Sequence, residues 1–405
     1  MKRIAVLMAV CFVDMMGLML VAPLMAFYAD RLGAADWLVG PLFAAFAVAQ
    51  LVSSPVWGRF SDRYGRRPAL LIGLFASAVA YVVFGFANSL WLLFLSRVIQ
   101  GMGGGTTGVA QAYIADAVPP AERAKALGWL SAATSAGVII GPFVGSAAAN
   151  FGTAAPGVVA AALILVNTAF AWKWLPESRV PHTRTVTPSG RQVAARSVSQ
   201  TLWEILRHPS RPAHRVIWIY VVGMLALNVV IGVLALYLRD SFGVTEKTIG
   251  LFYPIFGIVG VLMRVWVVGW ANERFGEVRT MQLGTVLLAL GLFLMPVPHL
   301  TMPTGGAVTL FVVFLSLVPV GTALLFPAST SLVSQRSAHH EVGLVMGAQQ
   351  TFRGIMSIVG PVGGTLAYTL GHGLPFFLAA GVVVVAGVLA MREPRERPVP
   401  ATISA

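Results

Sequence analysis

The chain alternates long apolar runs with short polar breaks, and that alternation leaves very few folds open to it. Twelve runs stand near positions 4–27, 37–57, 69–87, 90–115, 125–149, 155–175, 214–238, 247–269, 280–297, 306–333, 342–369 and 374–391. A run of about 20 apolar residues crosses a bilayer as a helix. Barrel strands would alternate polar and apolar residues, and these runs do not. Only 11% of the 405 residues are charged, against roughly 25% in a soluble domain. The expected fold is an all-α membrane protein of twelve transmembrane helices.

The opening MKRIAVLMAVCFVDMMGLML begins like a signal peptide, but Asp14 interrupts the apolar core and the run continues to Phe27 without a small-x-small site. It reads as an uncleaved first helix. Cys11 is the only cysteine, so neither a disulfide framework nor a thiolate cluster is expected. The His-His-Glu at 339–341 lacks metal-helix spacing, and the seven histidines share no span face. No nucleophile–base pair stands out. The sequence points away from an enzyme and implies no metal and no cofactor.

A net charge of +13 would suit nucleic acid, yet the placement of the charges excludes it. Of the 28 basic residues, 22 fall at the N-terminus, in 58–68, at Arg123 and Lys125, in 173–215, at Arg274, Arg279 and Arg336, and in the C-terminal tail. The alternate loops hold only Arg31, Arg239 and Lys247, while Arg97, Arg264 and Arg353 lie within spans. This is the positive-inside pattern of an inner-membrane protein with both termini cytoplasmic. Trp37, Trp57, Trp91, Trp172, Trp174 and Trp270 fall near span ends, where indole suits the interface.

The chain also repeats itself. At an offset of 211, Gly58, Asp62, Arg63, Gly65 and Gly73 meet Gly269, Glu273, Arg274, Gly276 and Gly284. At an offset of 219, Glu122, Gly128, Gly141, Pro142, Gly145 and Gly152 meet Glu341, Gly347, Gly360, Pro361, Gly364 and Gly371. The expected organisation is a six-helix bundle (1–175), a polar linker (176–213) carrying an amphipathic SQTLWEILRH, a second six-helix bundle (214–391) and a tail (392–405). Parallel duplication of this kind favours a transporter whose halves rock about a central site.

Four motifs carry a family resemblance. GRFSDRYGRRP (58–68) resembles the signature loop of the major facilitator superfamily, and SRVIQGMGGG (96–105) the Arg-x-x-Gln-Gly motif of its proton-coupled members. GVIIGPFVGS (137–146) resembles the fifth-span antiporter motif, and DMMGLMLVAPLMAFYA (14–29) the first-span motif of the twelve-helix drug:proton antiporters, tetracycline efflux proteins among them. Where those pumps carry a further carboxylate in the third span, this chain has Ala80 before Tyr81. That departure argues against tetracycline itself as the substrate.

The resemblance implies that Asp62 contacts the start of the eleventh span and that Arg66 meets Asp116, a conformational latch built with Gly58, Arg63 and Gly65. It implies that Arg97 lies near Asp14 and tunes its pKa, the two residues serving proton coupling; a purely structural hydrogen-bonding role for Arg97 is the alternative. Asp14 is the only acid deep in any span, where an ionised carboxylate costs about 2.5–3.5 kcal/mol. Facing a cavity, it could take a proton on one side and release it on the other; a structural Asp is the alternative. The stripe Gly137, Gly141 and Gly145, with Pro142 beside it, allows close helix packing and a bend. Gln50, Gln100, Tyr113, Asn228 and Gln349 are expected either in the substrate cavity or in hydrogen bonds between helices. Arg353, whose offset counterpart is Thr134, could hold an anionic substrate or counter Asp14, and Arg264 reads as a snorkelling arginine. GGGTTG (103–108) matches a dinucleotide motif but follows no strand and reads as a continuing membrane helix.

The expected activity is proton-coupled export of small amphipathic drugs or metabolites. Partners would be the lipid bilayer, a small-molecule substrate and protons, without nucleic acid, the protein acting as a monomer. Metabolite symport is the first alternative; a non-transporting sensor or assembly partner is the second.

Overall fold

The computed structural model describes residues 2–178, 198–302, 304–337 and 341–391, and among these there is no strand. Half of the expected linker (179–197) and the tail (392–405) lie outside the described residues. In chain order the helices are α1 (Lys2–Val21), α2 (Met25–Arg31), α3 (Val39–Tyr64), α4 (Arg66–Gly85), α5 (Leu90–Gly103), α6 (Thr106–Ala117), α7 (Pro120–Ala148) and α8 (Ala155–Trp174). There follow α9 (Val198–Arg207), α10 (Pro212–Phe242), α11 (Pro254–Leu262), α12 (Val268–Phe275), α13 (Glu277–Leu294), α14 (Val297–Thr301), α15 (Thr304–Arg336), α16 (Val342–Tyr368) and α17 (Leu374–Met391).

Among the described residues nine helices are long and apolar enough to cross a membrane. The eighth expected span is longer than its apolar run, reaching from Ile249 to Phe275 through α11, a π-helical turn at Met263–Val267 and α12. The fourth departs more. It is divided into α5 and α6 by Gly104 and Gly105, so GGGTTG is a break and not a continuing helix. Breaks expose backbone carbonyls, which must find donors inside a membrane. Here α3 supplies them: Gln50 Nε2 donates to the Gly104 carbonyl at 3.0 Å, Ser53 Oγ to Gly101 at 3.2 Å, and Trp57 Nε1 to Met102.

The described residues form two compact units. One gathers those of Met1–Arg191, Ile231–Ile258 and Ser357–His372; the other those of Gln192–Val230, Val259–Met356 and Gly373–Ala405. The sequence repeat is visible in the packing of each. Gly65 and Gly276, an offset pair, both take positive φ (110° and 79°) where one helix turns into the next. A Cβ on Gly73 would lie 2.9 Å from the Gly103 carbonyl oxygen, and one on Gly284 2.7 Å from that of Gly321. Each unit thus joins two of its helices through facing glycines, with no side chain between the backbones.

Candidate functional site

In the first unit, α1 is seated by small residues. Cβ atoms on Gly137, Gly141 and Gly145 would stand 2.5, 2.6 and 2.3 Å from the carbonyl oxygens of Phe12, Met16 and Leu20. The stripe therefore lies directly on the backbone of the helix that carries Asp14. From the α8 side, Asn167 Nδ2 donates to the Val10 carbonyl at 2.9 Å. Pro142 and Ser146 serve a different contact: Gly250 N donates to Ser146 Oγ at 2.8 Å.

Asp14, so held, is met by Thr106. The Thr106 hydroxyl donates to Asp14 Oδ2 at 2.8 Å, from the first residue of α6, immediately after the glycine break. The break and the Asp14 carboxylate are thus neighbours in space. Thr106 escaped the sequence reading because GGGTTG was taken as unbroken helix.

Arg97 is 3% exposed and forms no ion pair with Asp14. Its guanidinium lies over the Phe84 ring, 5.3 Å from the centroid, and its Nε reaches Ser96 Oγ at 3.4 Å. Its Nη2 is buried with no hydrogen-bond partner. Tyr81 stands in the electrostatic field of both Asp14 and Arg97, and Gln100 Nε2 donates to the Tyr81 hydroxyl at 2.7 Å. Tyr81, read from sequence only as the neighbour of a missing carboxylate, is 1% exposed.

The charged loop is more ordered than its composition announces. Arg66 Nε donates to Asp116 Oδ2 at 2.9 Å, Nη1 lies 2.6 Å from Asp62 Oδ1, and Nη1 also donates to Ser61 Oγ at 2.7 Å. The Asp62 side chain remains 66% exposed. Arg63 lies over the ring of Tyr64. α3 continues through Gly58 to Tyr64, and Gly65 makes the turn. Glu177, which the sequence reading passed over, caps α4. Its Oε1 accepts from Arg66 N at 2.9 Å and its Oε2 from Arg67 N at 3.1 Å, where the helix dipole favours an anion.

Three of the polar residues named for the cavity or for bonds between helices donate to backbone carbonyls, and Asn228 does so within its own helix. Gln50 satisfies the α5 break, Tyr113 is fully buried and donates to the Pro176 carbonyl at 2.8 Å, and Asn228 donates to Met224 of its own helix at 2.8 Å. The reason is common to all: apolar surroundings make a nearby carbonyl the best acceptor available. Gln100 and Gln349 are different, each keeping a buried amide oxygen without a partner, although Gln349 Nε2 donates to Thr330 Oγ1 at 3.2 Å. Arg353 is exposed, on α16.

At the face opposite the charged loop, a second network lies wholly within the first unit. Arg239 Nη2 donates to Asp36 Oδ1 at 2.8 Å and Nε to Asp240 Oδ1 at 2.6 Å, while Nη1 lies 3.4 Å from Asp30. Tyr368 donates to Asp240 Oδ2 at 2.8 Å, and Arg31 pairs with Glu246. The signal in the sequence was the scarcity of cations in these loops: with four acids nearby, Arg31 and Arg239 had few other partners.

A model of the Major Facilitator Superfamily matches residues 7–361 and 216–405 of this chain. Multidrug resistance protein 2 of Bacillus subtilis (strain 168) is 29% identical over 94% of this chain and 92% of its own length. The class B tetracycline resistance protein of Escherichia coli is 27% identical over 91% and 89%. The crystal structure of the nucleoside transporter NupG matches with a TM-score of 0.78 at 14% identity, over 98% of this chain and 100% of that one, a likeness of fold.

Proposed function

The chain belongs to the Major Facilitator Superfamily, and on that premise we propose that it is a proton-coupled antiporter exporting small amphipathic drugs or metabolites by alternating access. A multi-pass membrane transporter of this family is not an enzyme and uses no cofactor, a proton gradient supplying the energy. In this reading residues 1–175 and 214–391 are the moving halves of a monomer in the inner membrane, both termini cytoplasmic. The names of the two relatives, multidrug and tetracycline resistance proteins, support export.

The observation that carries the reading is the partner of Asp14. Among the described residues no cation pairs with it, and its carboxylate is met by a hydroxyl. A threonine hydroxyl donates to a carboxylate and, by rotating, accepts from a carboxylic acid. The site therefore accommodates both charge states, which an Asp–Arg pair would not. Substrate enters from the cytoplasm while Asp14 is deprotonated, and a proton from outside accompanies its release. During that cycle the Arg239 network parts as the outer side opens, and Asp62 turns toward the eleventh span as the inner side closes.

The test is dye and drug efflux in energised everted vesicles, wild type beside Asp14→Asn, with collapse of the pH gradient recorded simultaneously. Substrate-triggered proton release in the wild type, absent from a folded mutant, is the expected result. Unchanged coupling in the mutant would overturn the assignment of Asp14, and substrate-driven proton movement in the same direction as substrate would replace antiport by symport.

A further inference from the structure

In the second unit, α9 (Val198–Arg207) is apolar round more of its circumference than the protein covers. At about 100° per residue, Ile205, Leu202, Leu206 and Trp203 follow one another through an arc of roughly 160°, with Ser199 among them. Arg207, Gln200 and Glu204 lie on the opposite arc. One edge of the apolar arc is seated against the protein, Ile205 being 0% exposed and its neighbour Thr201 8%. The other edge stands open: Leu206 is 45% and Trp203 57% exposed.

A short bonded turn holds this helix at the foot of a membrane span. The span α10 starts at Pro212, and its unbroken apolar stretch begins at Val216. His208 N donates to the Glu204 carbonyl at 2.9 Å, and His214 Nδ1, in the first turn of α10, donates to the His208 carbonyl at 2.8 Å. Arg215 Nη2 donates to the Ser210 carbonyl at 3.0 Å, and Arg211 pairs with Glu204. The open edge therefore belongs to a helix fixed beside the polar–apolar boundary of a span, a level that indole favours. The Arg207 guanidinium lies over the Trp203 ring, 4.8 Å from its centroid, and is itself on an exposed residue. Between Ser178 and Arg215 the sequence holds seven arginines and one acid.

An apolar edge at the end of a span, bordered by arginine, fits the acyl boundary beneath negatively charged headgroups. Two open side chains fall well short of the about 800 Å² a side that a stable protein partner needs. We propose that α9 is an interfacial helix: Trp203 and Leu206 enter the acyl boundary of the inner leaflet, and Arg207 beside them selects an anionic phospholipid. The guanidinium takes the headgroup phosphate, while the surrounding arginines hold the local surface positive. A zwitterionic headgroup brings its own cation and gains little from that field. The proposal rests on the reading of this side as cytoplasmic only for the choice of leaflet.

The experiment uses the full-length protein with Cys11→Ser and Leu206→Cys, labelled with the environment-sensitive dye NBD and placed in nanodiscs. The bilayer is phosphatidylcholine with one lipid in ten phosphatidylglycerol. In parallel samples a nitroxide quencher is carried on the acyl chain of phosphatidylglycerol or, at the same mole fraction, of phosphatidylcholine. The label at position 206 is expected to be quenched in both, and at least fivefold more efficiently by the anionic carrier. A label introduced by Gln200→Cys, on the polar arc, is expected to meet iodide in the buffer instead. Arg207→Gln should cut the preference about fivefold, the worth of one basic side chain at an anionic surface. Arg207→Lys should keep most of it, and an unchanged thermal midpoint shows that neither variant has lost its fold. Absence of lipid quenching at position 206, whether iodide reaches that label or protein shields it, would overturn the proposal. So would equal lipid quenching at positions 206 and 200, equal quenching by the two carriers, or an undiminished preference in Arg207→Gln. Transport is not measured, so failure of proton-coupled efflux in vesicles would sink the antiport reading alone, and failure here would leave that reading standing.

Discussion

Thr106 donates its hydroxyl hydrogen to Asp14 at 2.8 Å, joining the first residue of α6 to the carboxylate that interrupts the apolar run of α1. A hydrogen bond to a charged group contributes about 1.5–3 kcal/mol. Thr106→Val keeps the shape and removes the donor. It is expected to lower gradient-driven efflux at least tenfold with normal membrane expression, and Thr106→Ser to keep most of it. Equal initial rates for Val and wild type in vesicles would show that the contact is incidental to transport.

The Arg66–Asp116 bond is the second target. Their side chains are 14% and 16% exposed, so removing one partner leaves the other charge largely desolvated. Breaking a fully buried pair costs about 3–5 kcal/mol, and the residual exposure brings the expectation for Asp116→Ala to about 2–3 kcal/mol. The measurement is the thermal midpoint in detergent, followed by the exchange Arg66→Asp with Asp116→Arg. Partial recovery in the exchanged protein is expected; a midpoint within a degree of wild type for Asp116→Ala would contradict it.

Two glycines of α7 should respond oppositely to the same change. A Cβ on Gly145 would stand 2.3 Å from the Leu20 carbonyl oxygen, whereas Gly128 has nothing within 4 Å. Gly145→Ala must push α1 and α7 apart, an overpacking of about 1–3 kcal/mol. Gly128→Ala gains about 0.5–1 kcal/mol from reduced backbone freedom. Side-by-side melting curves decide it, and a Gly145→Ala protein as stable as Gly128→Ala would refute the close packing.

Arg239 is the centre of the network on the opposite face, so its loss should loosen that end. In a background with Cys11→Ser, a cysteine placed at the buried Thr365 reports access from outside. Arg239→Gln is expected to raise its labelling rate by an impermeant maleimide at least fivefold. No change in rate would mean that this end is held by packing alone, a Cβ on Gly40 standing 2.5 Å from the Pro361 carbonyl oxygen.

Most of the fold could be read from the chain because span length and charge placement are properties of sequence alone. Hydrocarbon thickness fixes how many apolar residues a helix needs, and positive-inside bias follows from counting. Asp14 was identifiable for the same reason, since a lone acid in an apolar run is conspicuous whatever its neighbours. The Arg66–Asp116 bond was anticipated through the family resemblance of the loop, and the structure brings those two side chains together.

What the sequence could not decide was partnership. Whether Asp14 meets a cation or a hydroxyl depends on where the Gly104–Gly105 break turns Thr106, and breaks are invisible to a count of apolar residues. Gln50 and Tyr113 carry the same polar signal as cavity residues, yet tertiary packing sets a freed or neighbouring carbonyl within their reach. Length and composition determined that this chain would cross the membrane; the close approach of backbones through glycine determined which polar groups would meet, because hydrogen bonds and ion pairs depend on ångström distances that hydropathy does not encode.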